Sequence, residues 1–488
     1  SVENLQISNK DLFIQGDFSF NKLGNKVPQL SANATYTLYD LARLQHYFPY
    51  AYMGRKLRAW LSKALLSGKL ERGFLSFNGP VNNMAGQSGA GKFRAGGVLE
   101  KLNLHFAPKW PRIHDSSGNV LFSGKSMFVN LHDGDIDSNH LNRVRAVIPD
   151  LTHPMLSITA YAHADLASAH RLLSQSPLTV GRRLQHVIMR GAYHLLLKLN
   201  INLHQSHSVK SEGDITMQRD KLQLPKWSIA LQHLRGDLHF TDQSIRAKHI
   251  AGSFLGDKVA LDITTLSNPS GIPYYQISAA GISHVNNLLN HYHAPLQEFL
   301  HGSMSFHVVV DLPYKEGVDP EIDVDSSLEG VSVDHVPSLF SKEGAERQPM
   351  HIKIIPVDLS HETLEFSYAK RVHGKLSLPL ESNRQAVLDF SLGSNPLNDS
   401  CRGVCLHGNL PNFNAEHWKQ FIVDLEIALK SKAVSDVGSS FVKHKAALPV
   451  SVHVLVGKVN LFGREVKRLW VNLDLNKQRY VMKLNNVD

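Results

Sequence analysis

Cysteine is nearly absent from this chain: 488 residues carry two, Cys401 and Cys405. On a regular strand their positions lie about 13 Å apart, too far to bridge. Gly403 between them permits a turn, so a small disulfide is the first expectation and two free thiols the second. Zinc held with His407 comes third, because no fourth ligand stands at suitable spacing. No run of about 18 apolar residues occurs, which excludes a helical membrane span in this stretch. No signal peptide is visible. The chain opens at Ser1 without methionine and closes just after a strand pattern, and reads as a segment of something longer. There is no block of basic residues and no basic stripe interleaved with aromatics, which argues against nucleic-acid binding.

The catalytic motifs are missing too. GQSGAGK, Gly86 to Lys92, fits the spacing of a phosphate-binding loop. Yet Phe93 stands where magnesium needs a hydroxyl, and a strand pattern follows where a helix is required. DGDID, Asp133 to Asp137, begins like a calcium loop, but Ser138 and Val144 occupy the glycine and glutamate positions. The histidines show no zinc-ligand spacing, and no nucleophile elbow occurs. No catalytic residue, metal site or cofactor is expected, and the chain reads as no enzyme.

What is present is apolar content ordinary for a folded protein, at 42%, over a length that exceeds a single hydrophobic core. The net charge of +9 is dispersed. It reads as solvated surface, with a weak attraction for anionic headgroups or other polyanions as the alternative. The 28 histidines would raise the charge below about pH 6.

One arrangement recurs. A short strand gives way to an amphipathic helix, and the helix to an alternating strand. The helices start near Leu41, Leu166, Val285 and Ala415, about 120–130 residues apart, the signature of a repeated unit. The expected divisions are a partial unit at 1–40, repeats at 41–165, 166–284 and 285–414, and a truncated repeat at 415–488. The first helix pattern runs to a stop at Gly68, the second resumes to Ile188, and the third reaches Leu296 and Leu300. Asn414 caps the fourth.

The strands alternate with period two. Gly73, Leu75 and Phe77 share a face, as do Leu102, Leu104 and Phe106, then Val120 and Phe122, then Met127, Val129 and Leu131. Leu199 and Ile201, Leu238 and Phe240, and Phe306 and Val308 continue the pattern. Such alternation means a sheet dry on one side and wet on the other. The fold class expected is mainly β with a few helices: an elongated, curled antiparallel sheet forming a groove. About twenty strands at about 4.8 Å each would make a sheet on the order of 90–100 Å long, which four short helices cannot cover. The sheet either closes into a sandwich or barrel, or curls and leaves a trough for acyl chains. The lining of that trough would include Leu75, Phe77, Leu104, Phe106, Val120, Phe122, Leu199, Ile201, Leu238, Phe240, Phe306 and Val308. The bland alternative is that each of these fills a closed core, as in a structural or adhesive scaffold.

Several stretches carry a resemblance: RAWLSKALLSGKLERGFLSFNGPV (58–81), LNLHFAPKWPRI (102–113), AVIPDL (146–151), SQSPL (174–178) and GDLHFTDQSIRAKHIAGSFLG (236–256). Together they are similar to the AsmA-like envelope proteins, most of all to the YhdP branch, with the Trp110-Pro111 step the most distinctive. The likeness spans about half the chain. It implies a periplasmic segment of a protein anchored in the inner membrane of a Gram-negative bacterium, the anchor lying outside this segment. It further implies an apolar groove of the kind seen in bridge-like lipid-transfer proteins, phospholipids as cargo, and envelope proteins as possible partners.

Overall fold

The computed structural model describes residues 1–22, 27–47, 60, 62–81, 91–106, 110–165, 167–168, 171–172, 188–203, 209–225, 228–292, 294, 296–314, 319–358, 361–379, 387–393, 397, 401–432, 449–461, 464–476 and 479–486. Most of these residues lie in strands, and helix is scarce. The chain divides into two compact units, Ser1–Lys248 and His249–Asp488, a coarser division than four helix-led repeats.

In the first unit the strands pair antiparallel, mostly with their neighbours in sequence. Gln29–Leu38 lies between Leu12–Asn21 and Leu65–Pro80. Leu65–Pro80 continues to Lys92–Leu104 and then to Ile113–Ser123. Met155–Asp165 lies between Asn139–Ile148 and Ile188–Asn202. Ile188–Asn202 continues to Val209–Leu224, which pairs with Ile229–Thr241. Alternation dictates this form, because a strand is the only element that sends every second side chain to the same face.

Strict alternation is broken at defined points. Arg72, Lys101, Asp115, Arg219 and His233, none of them glycine, adopt φ of 48–65°. Each sits at or beside a break in register, as between Glu71 and Phe74 or between Leu99 and Leu102. These are β-bulges, which insert one residue and increase the local twist. The odd residue switches the parity of the strand. Leu99 faces the core before Lys101, and Leu102 faces the same core after it. Leu70 does the same on the other side of Arg72 from Gly73.

The second unit is built differently. Pro273–His284 lies between Asp257–Ser267 and Leu300–Pro313. The series continues antiparallel through Glu321–Ser326, Met350–Asp358, His361–Tyr368 and Val372–Pro379 to Val387–Leu392. The next strand, Val404–Asn414, runs parallel to both Val387–Leu392 and Val450–Leu461. The antiparallel expectation therefore fails at these two pairs. A parallel neighbour needs a crossover connection, and the second crossover carries the helix Ala415–Lys432.

The first three expected helices end earlier than the periodicity predicts at their described ends, while the fourth runs past Leu425. Leu41–Tyr47 is a 3-10 helix, and residues 48–59 beyond it lie outside the described residues. Leu65 and Gly68 belong to a strand, not to a helix end. Residues 173–187 of the second expected helix lie outside the described residues, and Ile188 opens a strand. Helix α1 spans Val285–His291, so Leu296 lies beyond it and Leu300 starts a strand. Helix α2 spans Ala415–Lys432. It is capped by the Asn414 Oδ1, which accepts from the Glu416 and His417 N–H groups at 3.0 and 3.3 Å. Among the described residues no helix is long and apolar enough to cross a membrane.

Candidate functional site

Register decides which side chains share a face, because directly opposed residues point the same way. In the first unit one row runs Gly16, Ala34, Leu75, Ala95, Phe122, Met127 and Ile148. One step along, Val120, Val129, Ala146, Ile158 and Leu199 oppose one another in turn. Ile201 stands beside Leu156 and Val209, Leu238 beside Ile215, and Phe240 beside Gly213. Eight of the lining candidates in this unit thus fall on one face: Leu75, Phe77, Val120, Phe122, Leu199, Ile201, Leu238 and Phe240.

The second unit carries an equivalent row. Val308 lies between Ala279 and Val324, and the line continues through Ile352, Phe366, Gly374, Phe390, Leu406 and Val452. Phe306 stands beside Gly281. Residues such as Ile352, Phe366 and Phe390 were not singled out from sequence, although HIKII and HETLEFSY alternate as plainly as the segments that were.

Two glycines shape this surface. A Cβ on Gly213 would meet the Phe240 ring at 2.5 Å, and one on Gly281 would meet the Phe306 ring at 3.1 Å. Each ring therefore lies down over the neighbouring strand, a phenylalanine covering a glycine. The ring edges that would stand out from the sheet are flattened onto it. Phe240 is 6% exposed.

The face is not uniform along the strands. At the end of the strands from which the helical segments emerge it is filled. In the first unit Leu38, Leu70, Leu99, Leu102, Leu131 and Leu141 pack with Leu41 into one cluster, joined by Leu44 and Leu172 from helical segments. Leu104, Phe106 and Val120 pack against this cluster. Phe106 does not belong to the strand at all, since the strand ends at Leu104. Its ring lies 5.5 Å from that of Trp110, and its carbonyl accepts from the Trp60 indole N–H at 2.7 Å. In the second unit Trp418 of α2 closes over Val454, Val456 and Leu410 together with Phe340 and Phe413. Helix α1 seals a smaller cluster with Val331 and Val333. Nearer the opposite strand ends, Leu75, Phe122, Ile201, Leu238 and Val308 are half-buried, whereas Phe77, Leu199 and Phe240 are buried.

The opposite face is wet, and its polar groups pair across strands. Ser157 donates to Asn200 at 2.8 Å, Thr216 to Asp237 at 2.6 Å, and Lys198 to Glu212 at 3.3 Å. Lys353 is bonded to Glu321, a hydrogen bond that, with the charges of Glu321, Asp323 and Glu365, raises its pKa against the effect of burial. The carboxylates of DGDID are taken by single neighbours: Asp133 by His132, Asp135 by His140 and Asp137 by Arg171. Such exposed pairs contribute about 0–1 kcal/mol each and organise no reaction centre. Of the glycine-rich GQSGAGK, residues 86–90 lie outside the described residues. Cys401 and Cys405 are joined in a disulfide.

The curated "Intermembrane phospholipid transporter YhdP" of Escherichia coli (strain K12) is 23% identical over 363 residues. The match covers 72% of this chain and 28% of that protein's length, so the chain spans well under half of its relative. No solved structure matches. The YhdP protein family matches residues 1–488 without remainder, and the chain belongs to that family.

Proposed function

We propose that this chain is a length of a non-enzymatic lipid conduit, whose apolar face shields phospholipid acyl chains while headgroups stay in water. The observation that carries the reading is the apolar face that register builds from strand to strand in each unit. It is sealed by side chains at the helix-bearing strand ends, and toward the other Leu75, Phe122, Ile201, Leu238 and Val308 stay half-buried alongside the buried Phe77, Leu199 and Phe240. Each acyl CH₂ laid against such a surface contributes about 0.8 kcal/mol. A chain of sixteen carbons would thus be held by roughly 10 kcal/mol before ordering costs. Movement along the row needs no bond to form or break, because every position offers the next methylene the same environment. The relative is named as an intermembrane phospholipid transporter, which supports phospholipid as cargo. On this reading the segment works in the space between the two membranes of a Gram-negative envelope, with its inner-membrane anchor elsewhere in the protein.

The filled cluster around Leu99 and Leu131 favours a second reading, a scaffold whose whole apolar face is a closed core. The two separate in one experiment. The chain is purified gently from a Gram-negative host and examined by native mass spectrometry with lipid extraction, beside Leu75→Glu and Val308→Glu. Both sites are half-buried, so a conduit predicts folded variants that have lost co-purified phospholipid. A lipid-free wild-type chain, or variants that unfold as a buried charge in a closed core would force, supports the scaffold instead.

A further inference from the structure

The face of the second unit opposite its apolar row holds one group of side chains that the lipid reading does not use. Asp389, Cys401 and Cys405 bring a carboxylate oxygen and two sulfurs within 4.8 Å of one another. Their convergence follows from topology. Val404–Asn414 runs parallel to Val387–Leu392 in a register that sets Cys405 directly beside Asp389. His407, two residues on, returns to the same face, and its Nε2 lies 3.0 Å from Asp389 Oδ1. Cys401 is folded back onto them by the turn at Gly403, whose φ is +82°. Ser451, opposite Cys405 on the next parallel strand, donates to its sulfur at 3.5 Å.

Two of the four are buried and two, Cys401 and His407, half-buried. Asp389 is 3% exposed and Cys405 5%. A carboxylate placed so deep is a group that a cation stabilises, and the disulfide beside it carries no charge. The fourth ligand that the sequence spacing lacked comes from the preceding strand, where only the parallel register could reveal it.

We propose that Cys401, Cys405, Asp389 and His407 form a redox-gated site for a thiophilic divalent cation of the zinc type. In the disulfide state the sulfurs are bonded to each other and the site is closed. Reduction by an external dithiol delivers two electrons and two protons, cleaving the S–S bond to two thiols while the dithiol becomes its own disulfide. Metal binding then displaces the two thiol protons to solvent. His407 lies outside the 4.8 Å group and must turn inward to complete it; two thiolates, its imidazole nitrogen and a carboxylate oxygen then make a four-coordinate set of the kind Zn²⁺ takes. The His407–Asp389 hydrogen bond is exchanged for metal bonds, which a rotation of either side chain accomplishes. The site lies on the face opposite Leu388, Phe390 and Leu406, so its state is separate from lipid occupancy.

The test uses the 488-residue chain, reduced with a phosphine that is then removed, and Co²⁺ as the spectroscopic probe. The expected result is one Co²⁺ per chain, with thiolate charge-transfer absorption and the d–d bands of a tetrahedral site. Zn²⁺ displaces it, and the disulfide form shows neither signal. Asp389→Ala and His407→Ala should each weaken binding by about tenfold or more, and shift the d–d bands. If circular dichroism shows a variant unfolded, alkylation of the wild type decides: stoichiometric Zn²⁺ should protect both thiols. A reduced chain with two titratable thiols and no charge-transfer band overturns the proposal. So does undiminished binding in both folded variants, which would mean chelation by the thiols alone.

Discussion

The two units keep one face apolar by different means. In residues 1–248, bulges at Arg72, Lys101, Asp115, Arg219 and His233 bend the strands, and the cluster at the helix-bearing end is made largely by strand leucines meeting one another. In residues 249–488 the described registers run with one marked shift, at Pro356/Asp358, and the ends are closed by laying helices on the sheet, α1 over Val331 and α2 through Trp418. Bending costs backbone strain at residues that prefer φ below zero, about 1–2 kcal/mol each. Covering needs long connections and, here, two parallel pairs. The lesson is that a sheet can seal one end of its face either from within its strands or from outside them.

The sharpest test of that contrast compares a filled with a half-buried position in the first unit. Leu102→Ala removes a side chain 3% exposed in the cluster and should cost about 2–5 kcal/mol in urea unfolding. Leu75→Ala on the half-buried stretch should cost about 1 kcal/mol, since less area leaves contact. Equal costs would erase the distinction between a sealed end and an open face.

In the second unit the corresponding weak point is polar. Lys342 is 2% exposed, and its ammonium donates to the carbonyls of Val331 at 2.7 Å and Glu343 at 2.8 Å. Burial lowers its pKa. Lys342→Met strands both carbonyls and should destabilise this unit by about 2–4 kcal/mol, with amide exchange in the first unit unchanged. Protection lost equally in both would show that they do not unfold separately.

Gly213→Ala addresses the flattened rings. The added methyl must displace Phe240, so a loss of about 1–3 kcal/mol is expected, together with higher solvent accessibility of that ring by NMR. An unshifted ring would mean that the close approach does not hold it down.

Acid should act oppositely on the two units. Burial raises the Asp257 carboxyl, but hydrogen bonds from the His284 backbone and ring, Ser283 and Asn287 outweigh it and hold its pKa low. Its contribution is therefore present above the unfolded value, near pH 4, and is lost as pH falls through the lower folded value. Asp220, raised by burial against the pull of the Gln218 and Ala192 N–H groups, is instead relieved on protonation. Exchange measured between pH 5 and 3 should loosen α1 at the acidic end while strand Val209–Leu224 holds or tightens.

The smallest effect expected is a gain. Lys101→Gly removes the penalty of a left-handed lysine at φ 48° and should stabilise the first unit by up to about 1 kcal/mol.

Much of this was legible in sequence because alternation is a direct imprint of the strand. GFLSFNG and SVHVLV announce their faces in the order of their letters, and the register confirms which residues they meet. The bulges were not legible. Arg72, Lys101 and Arg219 carry none of the glycine, asparagine or aspartate preference that flags a left-handed residue, and only the neighbouring strand determines that one residue must be set aside. Phe106 was read as strand because it continued the parity of Leu102 and Leu104, yet the strand ends at Leu104 and Phe106 packs against the cluster beside Trp60 and Trp110. The parallel pairs were hidden for the same reason: direction leaves no mark on alternation, so the meeting of Asp389 with Cys405 had no counterpart in spacing.

The bulges also bear on which genetic changes this chain tolerates. Losing one codon from a regular strand inverts every side chain beyond it, so apolar residues go to water, whereas losing two restores the original facing. A bulge is a place where the extra codon is already accommodated. Deleting Lys101 would remove the odd residue and leave Leu99 and Leu102 two positions apart on one face, so that Leu102 and Leu104 still point inward, and deleting Glu100 is repaired in the same way. Single-codon length variants are therefore expected to accumulate beside Arg72, Lys101, Asp115, Arg219 and His233, and to be excluded from the unbulged strands between Pro273 and Pro313. A deletion scan scored for folded protein would reveal that pattern as peaks of survival at the five bulges.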